Sequence, residues 1–453
     1  MRSVVSHRAT SAQQAMMPWY IVLYAIFIGW LQATFTNGRL LPDDWGSLWV
    51  AGQLHRDGFD SELYNRDPDD FALPAGQIWY DYGDQLDFIS VAHPFVHNPL
   101  VAHWMSGWVS IQDFSDSVYT LTWLSGTAIV VMIAACYYLW FERQIPLVWL
   151  VGLSIALLIN PMYQSGIWLG QTSALIYAMV FTALALSKTD RWWVAAFAGI
   201  LLASAGFVKI TPLLLIPVLL VFSQRRRTGI IAVIFTGLFG LWSLLVVPRA
   251  VLQTWWDNLR DLNDSVLLSP NNQSLPAWFL DHEKSGNFIV EVLRDPPTWA
   301  TVLPVAIAGL IGLLLLGYAF VDRDHAFNVL SIGGFTLATL FGRLVWNHYY
   351  IVLVGIVLGI IALGAQRRYA YILTMVACFL FYPPIGTAIG TENPFSVPYH
   401  GLLAALILLG TFLIVLGHNA WEIWRKGPEV TGTEPCTLDL DSFSSCAARG
   451  SGQ

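Results

Sequence analysis

The sequence predicts an all-α polytopic membrane protein. Three observations carry that fold class. Of 453 residues, 56% are hydrophobic and 12% charged, with a mean hydropathy of +0.56, against roughly 25% charged in an average soluble domain. Apolar runs of about 20 residues, the length a helix needs to cross a bilayer, recur from end to end. Lys and Arg gather in alternate short loops, as the positive-inside asymmetry requires.

The runs fall at 18–36, 117–141, 145–160, 168–187, 192–207, 211–223, 229–248, 299–321, 326–342, 349–365, 369–388 and 400–418, about twelve spans. The first, from Trp19 to Phe35, is too long for a signal-peptide core and has no small-x-small cleavage site, so it reads as an uncleaved span. With the N-terminus inside, Arg143, Lys188, Arg191, Arg225–Arg227, Arg323, Arg367 and Arg368 all fall in short cytoplasmic loops. Both termini are then cytoplasmic. Residues 1–426 form one transmembrane domain, with large extracytoplasmic loops at 37–116 and 249–298, and 427–453 form a polar, disordered tail. Residues 91–111 are apolar enough to raise the question of a further span. They carry three His and two Pro, and counting them would put Arg225–Arg227 outside, so they are expected to lie along the outer surface.

The four cysteines build no framework: Cys136 and Cys378 sit in apolar runs, and Cys436 and Cys446 lie in the tail. A net charge of −7 is no nucleic-acid signature. No Walker motif and no dinucleotide fingerprint appears.

The organising stretch is LPDDWGSLWVAGQLHRDGFDSELYN, residues 41–65, directly after the first span. Asp43 and Asp44 stand where Trp, Tyr, Lys or Arg would anchor a helix better. One of them could be an N-cap for a helix starting near Trp45; two acids ask for more. Further polar residues cluster at the same outer face, and polar groups against a membrane are costly. Residues 160–174 carry Asn160, Gln164 and Gln171, which could also be a polar turn broken at Gly170. Lys209 lies between two short spans, where it could simply snorkel to headgroups. Residues 269–279, SPNNQSLPAWF, could be an amide-rich turn. Residues 342–350 place Arg343, Asn347, His348 and Tyr349 where one span meets the next, a set poorly explained as anchoring.

A Lys, an Arg and a His on one side suit an anionic group, most simply a phosphate. A carboxylate opposite suits deprotonation of a hydroxyl. An enzyme facing outward has no nucleotide sugar or ATP, so its activated donor must be carried by a lipid.

The ordered set resembles the polyprenol-phosphate-mannose-dependent mannosyltransferases of the GT-C superfamily. The residues that carry the resemblance are DWGSLWVAGQLHRDGFDSELY after the first span, GQTSALIY (170–177), VKITPLLLIP (208–217), NNQSLPAW (271–278) and NHYYIVLV (347–354), in the family's order. The resemblance implies a GT-C fold in which the long first loop, with surface-lying helices, caps a cavity shared by donor and acceptor. It implies Asp44 as general base with Asp43 as neighbour. Lys209, His348, Asn272 and Gln273 would bind the donor phosphate and sugar, with Arg343 and Gln171 beside them. Tyr349 and His97 are secondary candidates. Asp43 either raises the Asp44 pKa by repulsion or binds a divalent cation with it; no other cofactor is implied. Where many relatives carry Tyr-Pro-Pro in the first loop, this chain reads HPFVHNPL (93–100), so the acceptor, a glycolipid or glycan of the envelope, is the least transferable part. Alternatives are another lipid-linked sugar such as arabinofuranose or glucose, a lipid or polysaccharide transporter, or an envelope assembly protein with a dead site.

Overall fold

The computed structural model describes residues 18–65, 76–86, 93–269, 271–280, 291–364, 367–382 and 399–426. The expected tail at 427–453 and parts of the segments 37–116 and 249–298 lie outside the described residues. In chain order the helices are α1 (Trp19–Thr36), α2 (Asp43–Arg56), α3 (Gln77–Gly83), α4 (Pro99–Val109), α5 (Phe114–Phe141), α6 (Leu147–Leu158), α7 (Pro161–Trp168), α8 (Ser173–Leu186), α9 (Trp192–Val208), α10 (Leu215–Val221), α11 (Arg226–Val246) and α12 (Arg249–Asp264). After strand β1 (Ser265–Leu268) come α13 (Leu275–Leu280), β2 (Glu291–Arg294), α14 (Thr298–Val321), α15 (Ala326–Asn328), a π-helical turn (Val329–Gly333), α16 (Gly334–Leu340), a 3-10 helix (Asn347–Leu353), α17 (Val354–Leu363), α18 (Arg368–Leu380) and α19 (His400–Lys426).

The chain is an all-α polytopic membrane protein, apart from one short ribbon that the sequence reading did not anticipate: β1 and β2 pair antiparallel, Ser265 opposite Arg294 and Leu268 opposite Glu291. Among the described residues, five helices are long and apolar enough to cross a membrane: Trp19–Thr36, Phe114–Phe141, Ser223–Val246, Thr298–Val321 and His400–Arg425. The pair α6 and α7, bent by 63°, makes a sixth if counted as one broken span. Six further apolar helices are shorter, at 10–17 residues. At 1.5 Å per residue these reach about 15–26 Å, short of a hydrocarbon core of about 30 Å. The twelve expected runs each meet one of these helices or the bent pair.

The main core lies where α5, α8, α16, α17 and α19 meet, around Ile129, Phe181, Phe335, Ile356 and Phe412. Trp140 of α5 donates from Nε1 to the Gly355 carbonyl (2.8 Å), tying α5 to α17. Outward-facing Leu23, Phe27, Leu303, Leu313 and Met375 are exposed, as lipid-facing side chains are. A second, aromatic core under the first loop joins Trp45, Trp49, Leu54, Trp79, Phe95 and Met105 with Val251 of α12. Trp45 Nε1 donates to Ser117 Oγ (2.9 Å), fixing α2 on the start of α5.

Residues 91–111 contain the 11-residue α4, about 16 Å long and too short to span. It starts cleanly because Asn98 accepts from the Leu100 N–H (2.9 Å) and Pro99 occupies the first turn.

Candidate active site around Asp44

α2 begins at Asp43 itself, with Pro42 before it and no side-chain cap. Neither acid therefore occupies the N-cap position expected of one of them. Both sit in the first turn, where the helix dipole favours negative charge. Asp44 is placed by backbone: its N–H donates to the Leu169 carbonyl (3.0 Å). That contact needs Gly170. Its φ is +69°, and a Cβ there would meet the Trp45 Cβ at 2.7 Å and the Pro42 Cβ at 2.9 Å. The turn between α7 and α8 thus rests directly on the start of α2, and Gln171 Nε2 donates to Asp44 Oδ2.

The other Asp44 oxygen, Oδ1, lies 2.5 Å from His93 Nδ1. The same ring brings Nε2 to 3.9 Å from Asp43 Oδ2. Burial would push the Asp44 carboxyl up. The hydrogen bond and charge of His93, with help from His348 and Gln171, outweigh it and hold Asp44 below the ordinary carboxylate value. Burial would likewise push His93 down, but Asp44 and then Asp43 hold it above an ordinary histidine.

Three further groups close on the same point. Lys209, just past the end of α9, donates from Nζ to Ser173 Oγ (2.6 Å) and stands 4.2 Å from the centre of the Tyr349 ring. His97 places Nδ1 2.7 Å from the Val208 carbonyl. A carbonyl only accepts, so Nδ1 carries the hydrogen and Nε2 keeps a lone pair. Burial, aided by the charge of Lys209, drives His97 down to about 4, so this ring is neutral. His348 is 2% exposed, and its Nε2 has no hydrogen-bond partner among the described residues. It fits because Gly166 has no side chain: a Cβ there would lie 2.8 Å from the His348 Cβ.

The structure thus brings Asp44, Gln171, Lys209, His348, Tyr349 and His97 together, with Asp43 at the edge. It gives Asn272 and Gln273 local duties instead. Asn272 Nδ2 donates to the Leu267 and Arg343 carbonyls (2.7 and 3.2 Å), and its Oδ1 accepts from the Ser274 and Val345 N–H groups (3.2 and 2.9 Å). Gln273 Oε1 accepts from the Leu402 N–H (3.2 Å) at the start of α19, while its own N–H donates to the Val345 carbonyl (2.8 Å). Arg343 enters this knot through its carbonyl, which also accepts from Ser274 Oγ (3.0 Å). The knot fixes residues 343–347, and so presents His348. The sequence reading missed His93 and Ser173. HPFVHNPL held the signal for His93, but only His97 was drawn from it. Among the described residues, no group of three or more His, Cys, Asp or Glu is placed to hold a metal ion.

The sequence model of glycosyltransferase family 87 matches residues 109–342, just over half of the chain. The chain belongs to glycosyltransferase family 87. Family 87 is a membrane family of the GT-C type, so the protein is a glycosyltransferase that handles a sugar donor and an acceptor among membrane lipids. No curated protein matches the chain. The family 87 match covers Gln171 and Lys209. Asp44, His93 and His97 precede it and His348 follows it, so only the fold joins these residues to the family's segment.

Proposed function

We propose that this protein transfers a sugar, with mannose as the first candidate, from a polyprenyl-phosphate donor to a glycolipid or glycan of the cell envelope. In this reading the cavity faces outward across the cell membrane, both termini are cytoplasmic, and residues 1–426 act as one GT-C domain capped by the loops 37–116 and 249–298. The observation that supports it is the meeting of one partly buried carboxylate with Lys209 and with His348, whose Nε2 has no hydrogen-bond partner among the described residues.

Asp44 takes the proton of the acceptor hydroxyl. The freed oxygen attacks C1 of the sugar, and the bond from C1 to the phosphate oxygen breaks with its electron pair moving to the phosphate. A single displacement inverts the anomeric centre, so a β-linked donor gives an α-linked product. Lys209 gives one of its three N–H groups to Ser173, leaving others for a phosphate. His348, and Arg343 from its place in the neighbouring knot, complete the anion's surroundings. Holding the charge that grows on the leaving phosphate is the largest single contribution in such a transfer. No second acid is needed, because the phosphate leaves without protonation, unlike the two-carboxylate hydrolases.

The test uses membranes carrying the protein, radiolabelled polyprenyl-phosphate mannose and a glycolipid extract of the host. Wild type transfers label and Asp44→Asn falls by the roughly 10²- to 10⁴-fold that a general base supplies. Transfer by neither protein, repeated with lipid-linked arabinofuranose and glucose, rejects the reading.

A further inference from the structure

His93 has no part in the reaction as written above, and the family 87 match begins after it. Yet it makes one of the two side-chain bonds to the base. Its Nδ1 lies 2.5 Å from Asp44 Oδ1, while Gln171 donates to Oδ2. An ionised carboxylate only accepts, so Nδ1 carries the hydrogen. It does so whether or not Nε2 is protonated as well, and the bond outlasts the titration of the ring. On the far side of the ring, Asp43 Oδ2 stands 3.9 Å from Nε2, so the two neighbouring acids meet across one imidazole. The chain just downstream holds the ring in place. Phe95 is buried in the aromatic core of the first loop, Tyr64 Oη donates to the His97 carbonyl (2.5 Å), and His97 Nδ1 donates to the Val208 carbonyl (2.7 Å).

We propose that His93 is a positioning residue for the base: its Nδ1–H and the Gln171 amide grip one oxygen each and fix the plane of the Asp44 carboxylate. This rests on the glycosyl-transfer reading above. A carboxylate can accept about four hydrogen bonds. With one taken at each oxygen, both keep a lone pair for the acceptor hydroxyl. Asp44 is 21% exposed, so an acceptor reaches it from the solvent side. His93 gives up no proton during the transfer and acts through Asp44 alone. Without it the carboxylate is held at one oxygen only and can swing, and a misplacement of about 1 Å at a reacting group costs on the order of 10²-fold in rate.

His93 also governs the charge on Asp44. Around the pair stand Asp43 on α2, Gln171 before α8, His97 in the same loop, Lys209 after α9, and His348 and Tyr349 on the 3-10 helix. Burial pushes the Asp44 carboxyl up, and the hydrogen bond and charge of His93 are the chief causes that bring it down. A base must be ionised to take a proton. Removing His93 therefore lets the Asp44 pKa rise, and the acid limb of the rate moves to higher pH.

The experiment compares initial rates across pH for wild type, His93→Leu and His93→Asn, with radiolabelled polyprenyl-phosphate mannose and host glycolipid, below the thermal unfolding of each protein in detergent. Leu fills the volume and offers no N–H. Asn puts an amide N–H near the place of Nδ1 but carries no charge. His93→Leu is expected to lose about 10- to 100-fold in kcat with the donor KM unchanged, and His93→Asn to recover most of that loss. The acid limb should move to higher pH in both, further in His93→Leu. A wild-type kcat in His93→Leu, a loss in His93→Asn as deep as in His93→Leu, or an unmoved acid limb overturns the positioning role. A rise in acceptor KM alone overturns it too, because His93 is then an acceptor contact. Labelling of Asp44 by a carbodiimide, which needs the protonated carboxyl, is followed by mass spectrometry and reads the same titration without turnover. Its midpoint should rise in His93→Leu, and an unmoved midpoint overturns the coupling whatever the rates. A wild type that transfers no lipid-linked sugar sinks the proposed function, and with it the base that His93 positions; active wild type with indifferent His93 variants sinks the positioning role alone.

Discussion

The contact between Gly170 and the start of α2 is the site's most exacting piece of packing, and Gly170→Ala tests it. The added methyl would lie 2.7 Å from the Trp45 Cβ and 2.9 Å from the Pro42 Cβ, where ordinary carbon contacts are about 3.5–4.0 Å. The turn must back away by about 1 Å. A non-glycine residue in the left-handed region costs roughly 1–2 kcal/mol, and overpacking a close contact about 1–3 kcal/mol more. Retreat also draws Gln171 off Asp44 and stretches the bond from the Asp44 N–H to the Leu169 carbonyl. A misplacement of about 1 Å at a reacting group costs on the order of 10²-fold in rate. The control is Gly237→Ala in α11, where a Cβ meets nothing within 4 Å; in a helix interior that change is neutral or stabilising by roughly 0.5–1 kcal/mol. Thermal unfolding of the purified proteins in detergent and initial transfer rates are measured side by side. If Gly170→Ala matches Gly237→Ala in both, the turn does not hold Asp44 and the account of the site is wrong.

Three other perturbations separate charge, ligand contact and scaffold. Lys209→Met removes a partly buried amine that rests on Ser173 and Tyr349; losing a charged hydrogen bond to phosphate costs about 1.5–3 kcal/mol, so kcat/KM for the donor should fall roughly 10- to 150-fold with the fold intact, and an unchanged value rejects the phosphate role. Asn272→Ala strips four hydrogen bonds from a fully buried amide and is expected to lower stability by about 2–4 kcal/mol; retained stability with lost donor binding would return Asn272 to the ligand. The pair of His93 and Asp44 also marks stability. The raised pKa of His93 means its contribution is complete below the ordinary histidine range and fades as pH rises through the raised value, while the lowered pKa of Asp44 means its share fades as pH falls through that lower value. Unfolding followed across pH should therefore show an alkaline decline that His93→Gln abolishes.

Much of this was legible in the sequence because membranes make polar residues conspicuous. Asp44, Gln171, Lys209 and His348 stood out against apolar runs, and the fold brings them together. His93 did not stand out, since it lies in a polar loop and its contact with Asp44 spans 49 positions, set by the burial of Phe95 and the anchoring of His97. The amides were ambiguous for a different reason. Asn272 and Gln273 have the composition of a sugar-binding pair, but spacing does not distinguish an amide facing a ligand from one closing its own backbone. One of the two acids could have been a helix cap because residue type predicts capping; α2 instead starts at Asp43, and the oxygens of Asp44 turn to Gln171 and His93.

The short helices and the site are one feature. α7, α9 and α16 end near residues 168, 208 and 340, and the segments that follow carry Gln171, Lys209 and His348. Irregular backbone at membrane depth is tolerated only where protein buries it or it lines a polar cavity. Here the chain supplies those partners: the Leu169 carbonyl accepts from Asp44, the Val208 carbonyl from His97, and residues 343–345 from or to Asn272 and Gln273. The donors to the first two carbonyls come from the segment 37–116. That segment therefore satisfies two of the helix ends that carry the site. His348→Phe separates fold from chemistry at the third. Phe fills the volume and removes a buried nitrogen without a partner, whose burial costs about 1–3 kcal/mol. The variant should unfold no more easily than wild type while transfer collapses. A variant that loses stability and activity together would mean that His348 holds the fold rather than the donor.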